Sequence, residues 1–165
     1  MRLTDAWLAF PFLILAIGLV TILGPSLTNA TLAIGLAATP TFIRLSRGLV
    51  LAVREEDYVQ GARSIGAGDV RIMGQYVLPN IASSILVQAT VSIPAAIIAE
   101  AILSFLGLGV QPPLTSLGNM VGYGREYLTR APWIMLSPAA VIVLTTLSIS
   151  IVGDWLRDRL DPTLR

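Results

Sequence analysis

Residues 55–80 have the sequence EEDYVQGARSIGAGDVRIMGQYVLPN and form the one long polar stretch of this chain. The 165-residue sequence around them is strongly apolar, because 55% of all residues are hydrophobic and only 13% are charged. That balance is typical of a polytopic helical membrane protein and unusual for a soluble domain. We therefore expect an all-α membrane bundle whose apolar helices are organised around this polar segment.

The first half of the polar stretch has the pattern of a short amphipathic helix. Its apolar residues recur at helical spacing as one stripe: Tyr58, Val59, Ala62 and Ile65. Acidic residues at positions 55–57 suit the positive end of a helix dipole. Gly66 suits the end of the helix, because glycine readily adopts the left-handed conformation found there. The pattern predicts a helix over residues 56–66.

The second half predicts another short helix after a glycine elbow. Asp69 is placed to cap its N-terminus. Its apolar side would carry four residues: Val70, Met73, Tyr76 and Val77. Pro79 is expected to lie just beyond its end. The whole stretch is thus predicted to be a helix, an elbow and a second helix at a membrane surface.

The apolar segments are long enough for four membrane crossings. Residues 6–43 carry no charge, and since about 20 residues span the hydrocarbon core, this run must turn, most simply at Gly24 and Pro25. The expected spans cover residues 6–23, 27–53, 81–106 and 132–157. Pro94 and Pro138 interrupt the last two spans, and Pro162 is expected to stop the charged tail that follows.

The connection between the third and fourth spans is long for a bare loop. Its apolar residues are spaced as one face of a short helix that would lie along the outer surface: Leu117, Met120, Val121, Gly124 and Leu128. We therefore expect a surface helix there.

The distribution of arginine predicts the orientation. Nine of the 11 basic residues, all of them arginine, fall on the side of the polar stretch, whereas Arg125 and Arg130 fall on the other. Since cytoplasmic loops of membrane proteins accumulate positive charge, residues 54–80 and both termini are expected to be cytoplasmic. The net charge of +1 gives no general attraction for nucleic acid.

The composition also excludes several chemistries. Lysine is absent, so the chain has no phosphate-binding loop of the G-x-x-x-x-G-K-[ST] type, and any nucleotide energy must come from another subunit. Cysteine and histidine are absent too, and no paired acids lie at membrane depth to form a protease dyad or metal site. We expect no catalytic residue, bound cofactor or metal in this chain, and an intramembrane enzyme is poorly supported.

Several motifs resemble the permease subunits of ABC importers, in the branch that transports dipeptides, oligopeptides or nickel. Gln60, Gly61 and Ala62 occupy the positions of the family's Glu-Ala-Ala triplet, and Gly66 occupies the position of the glycine that follows it. Residues 77–80, VLPN, match the end of the family's cytoplasmic loop. Residues 99–101 and 103–113, together with the tail 153–162, also resemble this branch, so the resemblance covers essentially the whole chain.

This resemblance implies a set of partners. A second permease subunit would pair with the chain in a bacterial or archaeal inner membrane, two ATPase subunits using ATP and magnesium would dock below it, and an extracytoplasmic binding protein would deliver the substrate. Such permeases usually have six spans, so residues 1–165 are expected to be the C-terminal portion of one, or the product of a shortened reading frame. The alternative is a truncated, non-transporting assembly or regulatory subunit that docks ATPases.

The resemblance also assigns residues to ATPase coupling. They are Glu56, Asp57, Tyr58, Val59, Gln60, Gly61, Ala62, Arg63, Gly66 and Pro79. Amphipathicity alone equally allows a connector that lies on lipid. The glycine in the triplet weakens a helix by up to about 1 kcal/mol, which would soften the coupling helix without abolishing its shape.

Three residues of the third span are candidates for a translocation path: Gln88, Pro94 and Glu100. Glu100 is an acid within an apolar span, and acids at membrane depth often have a function. A structural role for it is at least as plausible, by extension to the interface or by pairing with Arg125 or Arg130. Likewise, the kink at Pro94 could line a passage or serve helix packing.

Overall fold

The computed structural model describes residues 2–160 and contains helices and turns but no strand within that range. The elements in chain order are α1 (Arg2–Leu8), α2 (Phe12–Leu23), α3 (Leu27–Arg54), α4 (Asp57–Ser64), α5 (Asp69–Ile72), a π turn (Met73–Val77), α6 (Leu78–Phe105), α7 (Leu117–Gly124), a 3₁₀ turn (Arg125–Tyr127) and α8 (Trp133–Leu160). The expected stop at Pro162 lies outside the described residues. The all-α prediction is confirmed.

Three helical segments of the described chain are long and apolar enough to cross a membrane, namely Leu27–Arg54, Asp69–Phe105 and Trp133–Arg159. They correspond to the second, third and fourth predicted spans. Each has a proline in its interior, at Pro40, Pro94 and Pro138 respectively, and the second segment also contains Pro79 in the first turn of α6. The three segments alternate in direction, so the ends of α3 and α8 lie on the side where α6 begins.

The first predicted span is not a straight helix over residues 6–23. It is broken into α1 and α2, whose axes differ by 95°. Pro11 lies at the break, where its ring disfavours a helical conformation of the preceding residue. The Asp5 carboxylate of α1 forms an exposed ion pair of 2.6 Å with the Arg44 guanidinium of α3. Residues 2–160 therefore provide four candidate crossings only if this bent pair counts as one.

The main core lies where α2, α3 and α6 meet. All of its buried residues except Leu103 are small or β-branched, namely Ala16, Val20, Ala30, Ala33, Ile34, Ala37 and Ala99. Small residues let the backbones of membrane helices approach closely. Because the hydrophobic effect does not drive helices together inside lipid, this close packing is what holds them together. Many leucines and valines of α8 point outward, as expected for a helix surrounded by lipid.

The helix predicted between the third and fourth spans is confirmed as α7, and the structure adds which of its residues pack against the bundle. The residues of α7 that are buried are Gly118, Asn119 and Gly124. The bulky residues of the predicted face, such as Leu117 and Met120, are exposed. The helix does not simply lie along the surface, because its small side wedges against α6 and α8 and its large side chains point away.

Candidate functional site

The helix predicted over residues 56–66 is present as α4, and it is fixed to the bundle by a second apolar core. Val59, which is only 1% exposed, packs with Ile72, Val77 and Ile81 from the start of the third span. Side chains from the end of α3, including Val53, close this core from the other side. The core therefore joins α4, α5, the π turn and the first turn of α6 into one unit.

The predicted apolar stripe of α4 is divided in the structure. Val59 and Ala62 point inward, whereas Tyr58 is 43% exposed and Ile65 is 85% exposed. Only the sector around Val59 and Ala62 faces the bundle, so the stripe is shared between the core of the chain and its surface. Tyr58 and Ile65 lie to one side of that sector and present apolar surface to whatever covers the segment.

The elbow after α4 depends on Gly66, which has a φ of +87°. Around it, the Ala67 N–H donates to the Ala62 carbonyl at 3.1 Å and the Gly66 N–H donates to the Arg63 carbonyl at 3.0 Å. These two bonds satisfy carbonyls that the end of a helix leaves free. The predicted role of Gly66 as helix terminator is confirmed.

Asp69 does not cap the second helix as predicted. Gly68 occupies the cap position, and no side-chain hydrogen bond closes that end. The Asp69 carboxylate lies 3.8 Å from the Arg63 guanidinium, across the elbow. Both side chains are largely exposed, so this contact is a weak surface ion pair.

The second helix does not end before Pro79, which corrects another expectation. The π turn carries it directly into α6, so that Asp69–Phe105 is one helical segment of 37 residues. Pro79 lies in the first turn of α6, where a missing N–H is tolerated. The Leu78 N–H donates to the Met73 carbonyl, and the Asn80 side-chain amide donates to the Tyr76 carbonyl at 2.6 Å. Wider turns of this kind often occur at functional sites.

The polar side of α4 borders a shallow cleft of about 320 Å³ against the end of α3. Its lining is charged or polar: Arg54, Glu55, Gln60, Arg63 and Ser64. The Gln60 side-chain amide donates to the Glu55 carbonyl at 3.2 Å. The residue at the first position of the triplet therefore ties α4 to the preceding helix, while Gly61 is exposed with open space around it.

The three candidates for a translocation path do not form one cluster. Gln88 borders an apolar groove of about 580 Å³ between α1, α3 and α6, and its side-chain amide donates to the Ser92 hydroxyl at 3.4 Å. Pro94 is half-buried within α6. Glu100 lies about 18 Å further along α6 than Gln88, at 1.5 Å per residue. A shared path along α6 remains a prediction.

The carboxylate of Glu100 is held by a serine rather than by an arginine. The Ser104 hydroxyl donates to Glu100 Oε1 at 2.6 Å, and among residues 2–160 neither Arg125 nor Arg130 forms an ion pair with it. Arg125 lies over the ring of Phe105 instead, at 6.0 Å from its centroid. Of the two structural roles considered for Glu100, pairing with an arginine is therefore not seen, and the carboxylate is instead bonded to the serine one helical turn away.

Ser104 and Asn119, which no sequence pattern singles out, fasten the connection after α6. The Ser104 hydroxyl accepts from the Val110 N–H at 3.3 Å, and the Asn119 side-chain amide donates to the Val110 carbonyl at 2.7 Å. Both side chains are buried. The sequence offered one sign of these two residues, namely the glycines near them, Gly109 and Gly118. Glycine lets the backbone approach a buried polar side chain closely.

Comparison with known proteins identifies the family. A family model described as binding-protein-dependent transport system inner membrane component matches residues 1–165. The chain belongs to this family. Its members are components of transport systems in the inner membrane, which agrees with the apolar helices described above.

Curated relatives within this family are permeases of peptide transport systems. The chain is 46% identical over 165 residues to the di/tripeptide transport system permease protein DppC of Pseudomonas aeruginosa, and 43% identical over 164 residues to the dipeptide transport system permease protein DppC of Alkalihalophilus pseudofirmus. It is 42% identical over 165 residues to the glutathione transport system permease protein GsiD of Salmonella typhimurium. These alignments cover 99 to 100% of the chain and 54% of each relative. The chain thus spans about half the length of the curated relatives it matches.

Proposed function

We propose that this chain forms the C-terminal membrane-spanning part of a permease subunit in a binding-protein-dependent ABC importer. The observation that carries the proposal is the core in which Val59 of α4 packs with Ile72, Val77 and Ile81. Because of this core, a displacement of α4 is transmitted to the beginning of a membrane-spanning helix. The family match supplies the biological context.

The proposed substrate is a short peptide. Relatives named for di/tripeptide, dipeptide and glutathione transport favour peptides over nickel. They also favour a transporting subunit over a non-transporting regulatory one. ATP and magnesium would be used by two partner ATPases, a second permease subunit would complete the passage, and a binding protein would deliver the peptide. Hydrolysis would then need no catalytic residue from this chain.

Residues 54–80 form the ATPase-docking segment in this proposal and face the cytoplasm together with both termini. Val59 and Ala62 are already buried within the chain, so they would support the docking surface rather than form it. The apolar contact would come from Tyr58 and Ile65, flanked by the acidic residues that begin α4. A helix placed in a groove with a few exposed apolar anchors is a recurrent mode of protein recognition.

Transmission to the membrane would pass through the elbow and the π turn. Closure of the ATPases would displace α4, and the shared core would pull on Ile72 and Val77 at the base of α6. To shift a transporter between 1:99 and 99:1 populations of two states, differential contacts of about 5.5 kcal/mol are needed. A docked helix with a hydrophobic core behind it is a suitable source of that difference, whereas lipid contact alone is not.

Site-directed crosslinking tests the proposal directly. The natural chain contains no cysteine, so Ile65→Cys introduces the only thiol. We expect a bifunctional thiol reagent to join this variant to an ATPase in membranes that contain the assembled transporter. Tyr123→Cys is the matched control, since Tyr123 is also well exposed, at 65%, but lies at the opposite end of the bundle.

Two results would contradict the proposal. One is capture of an ATPase by Tyr123→Cys but not by Ile65→Cys, which would reverse the orientation. The other is an assembled complex that takes up no dipeptide into vesicles when ATP and the binding protein are both supplied.

A further inference from the structure

A small polar cavity lies at the end of the bundle opposite the docking segment. It has a volume of about 250 Å³ and is formed where the end of α6 meets α7 and the 3₁₀ turn. The residues that give it chemical character are Phe105, Asn119, Tyr123, Arg125 and Glu126. None of them belongs to the docking segment or to the predicted translocation path.

Asn119 presents an unused acceptor to this cavity. The side chain is 7% exposed, and its amide nitrogen is committed to the Val110 carbonyl at 2.7 Å. Its amide oxygen accepts no hydrogen bond from any residue in the range 2–160. In that same range, no buried side-chain polar atom is both fully enclosed and without a partner. The oxygen is therefore not fully enclosed, and the open space beside this side chain is the cavity that Asn119 lines.

Two opposite charges stand at the same cavity without neutralising each other. Arg125 and Glu126 both line it, and within residues 2–160 neither forms an ion pair shorter than 4 Å. The Arg125 guanidinium lies over the ring of Phe105, 6.0 Å from its centroid, and such stacking restricts where the charge points. The cavity thus offers a cation, an anion and a buried hydrogen-bond acceptor.

We propose that this cavity binds a free dipeptide as a zwitterion. Arg125 receives the terminal carboxylate, since guanidinium and carboxylate match in geometry and charge. The Asn119 oxygen accepts the peptide N–H, and Glu126 receives the terminal ammonium. The site lies on the face where the proposed importer would meet its loaded binding protein, so this assignment rests on the proposed function and adds a peptide contact on the permease itself.

Peptide binding to charge variants provides the test. The chain is purified in the oligomeric form in which it is extracted, without binding protein, and placed in phosphatidylcholine nanodiscs. Alanyl-alanine is titrated into the millimolar range and compared with its C-terminal amide and its N-acetyl derivative. We expect Arg125→Gln to raise the Kd of the free dipeptide at least about tenfold, as loss of a charged hydrogen bond requires, but not that of the amide. Glu126→Gln should weaken the free dipeptide but not the N-acetyl form.

Arg130→Gln is the matched control. Arg130 is an exposed arginine of the same connection that does not line the cavity, so the Kd of this variant should equal that of the natural chain. Equal affinity for the free dipeptide and its amide would overturn the assignment, as would equal effects of the two arginine substitutions or a complete lack of saturable binding. If the assembled transporter still imports dipeptide in any of these cases, the site is wrong and the proposed function stands.

Discussion

The two ends of the bundle both connect membrane-spanning helices, but the glycines in the two connections are packed differently. At one end, residues 55–77 connect α3 to α6, and at the other, residues 106–132 connect α6 to α8. Both connections are rich in glycine. A methyl group added at Gly61, Gly66, Gly68 or Gly74 would meet no atom within 4 Å. One added at Gly118 or Gly124 would lie 2.4 or 2.7 Å from a backbone atom of a neighbouring helix.

This difference separates two uses of glycine. In the connection that holds α7, glycine allows helices to touch, and buried hydrogen bonds from Ser104 and Asn119 lock the contact. In the docking segment, glycine allows the chain to turn and leaves its surroundings open for a partner. The comparison indicates that the α7 end is rigid. The α4 end is held by one apolar core, and the rest of its surface is open to a partner.

The largest effect is expected from filling the tight end. Gly118→Val would drive a branched side chain into the Ala101 carbonyl, which belongs to a helix backbone and cannot move aside. Overpacking usually costs about 1 to 3 kcal/mol, and we expect the upper end of that range or more. Thermal unfolding in detergent, followed by circular dichroism, measures the change.

Gly61→Ala is the control for that experiment at the open end. Glycine within a helix is less favourable than alanine by about 0.5 to 1 kcal/mol, so this variant should be as stable as the natural chain or slightly more stable. If Gly118→Val unfolds at the temperature of the natural chain, α7 is not wedged between α6 and α8 and the contrast between the two ends fails.

A second prediction compares two glycines of the open end. Gly66 has a φ of +87°, whereas Gly68 has a φ of −70°. Alanine at Gly66 would be strained by about 1 to 2 kcal/mol, because L-residues disfavour the left-handed region. Alanine at Gly68 would not. We expect Gly66→Ala to reduce peptide uptake per ATP hydrolysed in reconstituted vesicles and Gly68→Ala to leave this ratio unchanged.

The same pair of variants distinguishes coupling from stability. If the elbow matters only for folding, Gly66→Ala should lower the amount of transporter in the membrane without changing uptake per ATP. A ratio that falls equally in both variants would show that loop flexibility, rather than the conformation at position 66, sets the coupling.

The sequence predicted those parts of the fold that depend on local pattern. Apolar run length is a property of one segment, so the segments that became α3, α6 and α8 were predictable. The bend between α1 and α2 is accompanied by contact of α1 with α3, including the Asp5–Arg44 ion pair, which joins residues 39 positions apart and cannot be inferred from either segment alone. Pro11 was the one local sign of that break.

The site shows the same division between local and long-range information. Gly66 as terminator follows from residue type and was predictable. Which sector of α4 or α7 packs against the bundle depends on the neighbouring helices, and in both helices bulky apolar residues of the predicted stripe are exposed. For α7, small residues make the helix contacts while large ones can face lipid, so the spacing of bulky apolar residues did not show which side packs against the protein.

The smallest effect is expected from the ion pair across the elbow. Asp69→Asn removes the carboxylate that lies 3.8 Å from the Arg63 guanidinium, but the Asp69 side chain is 95% exposed. Exposed pairs at this distance are screened by water and salt and contribute little. We therefore expect no measurable change in the unfolding temperature, in uptake per ATP, or in the salt dependence of either.

A strong effect of this substitution would alter the comparison itself. Arg71→Gln is the control, because Arg71 is an exposed arginine nearby that bonds to Gln75 rather than to an acid. If Asp69→Asn lowers uptake per ATP and Arg71→Gln does not, the elbow must be held by charge. The open end would then be locked by an electrostatic contact in place of buried hydrogen bonds. Since water surrounds that contact, the ion pair would weaken at high salt. The buried hydrogen bonds at the α7 end would not change with salt.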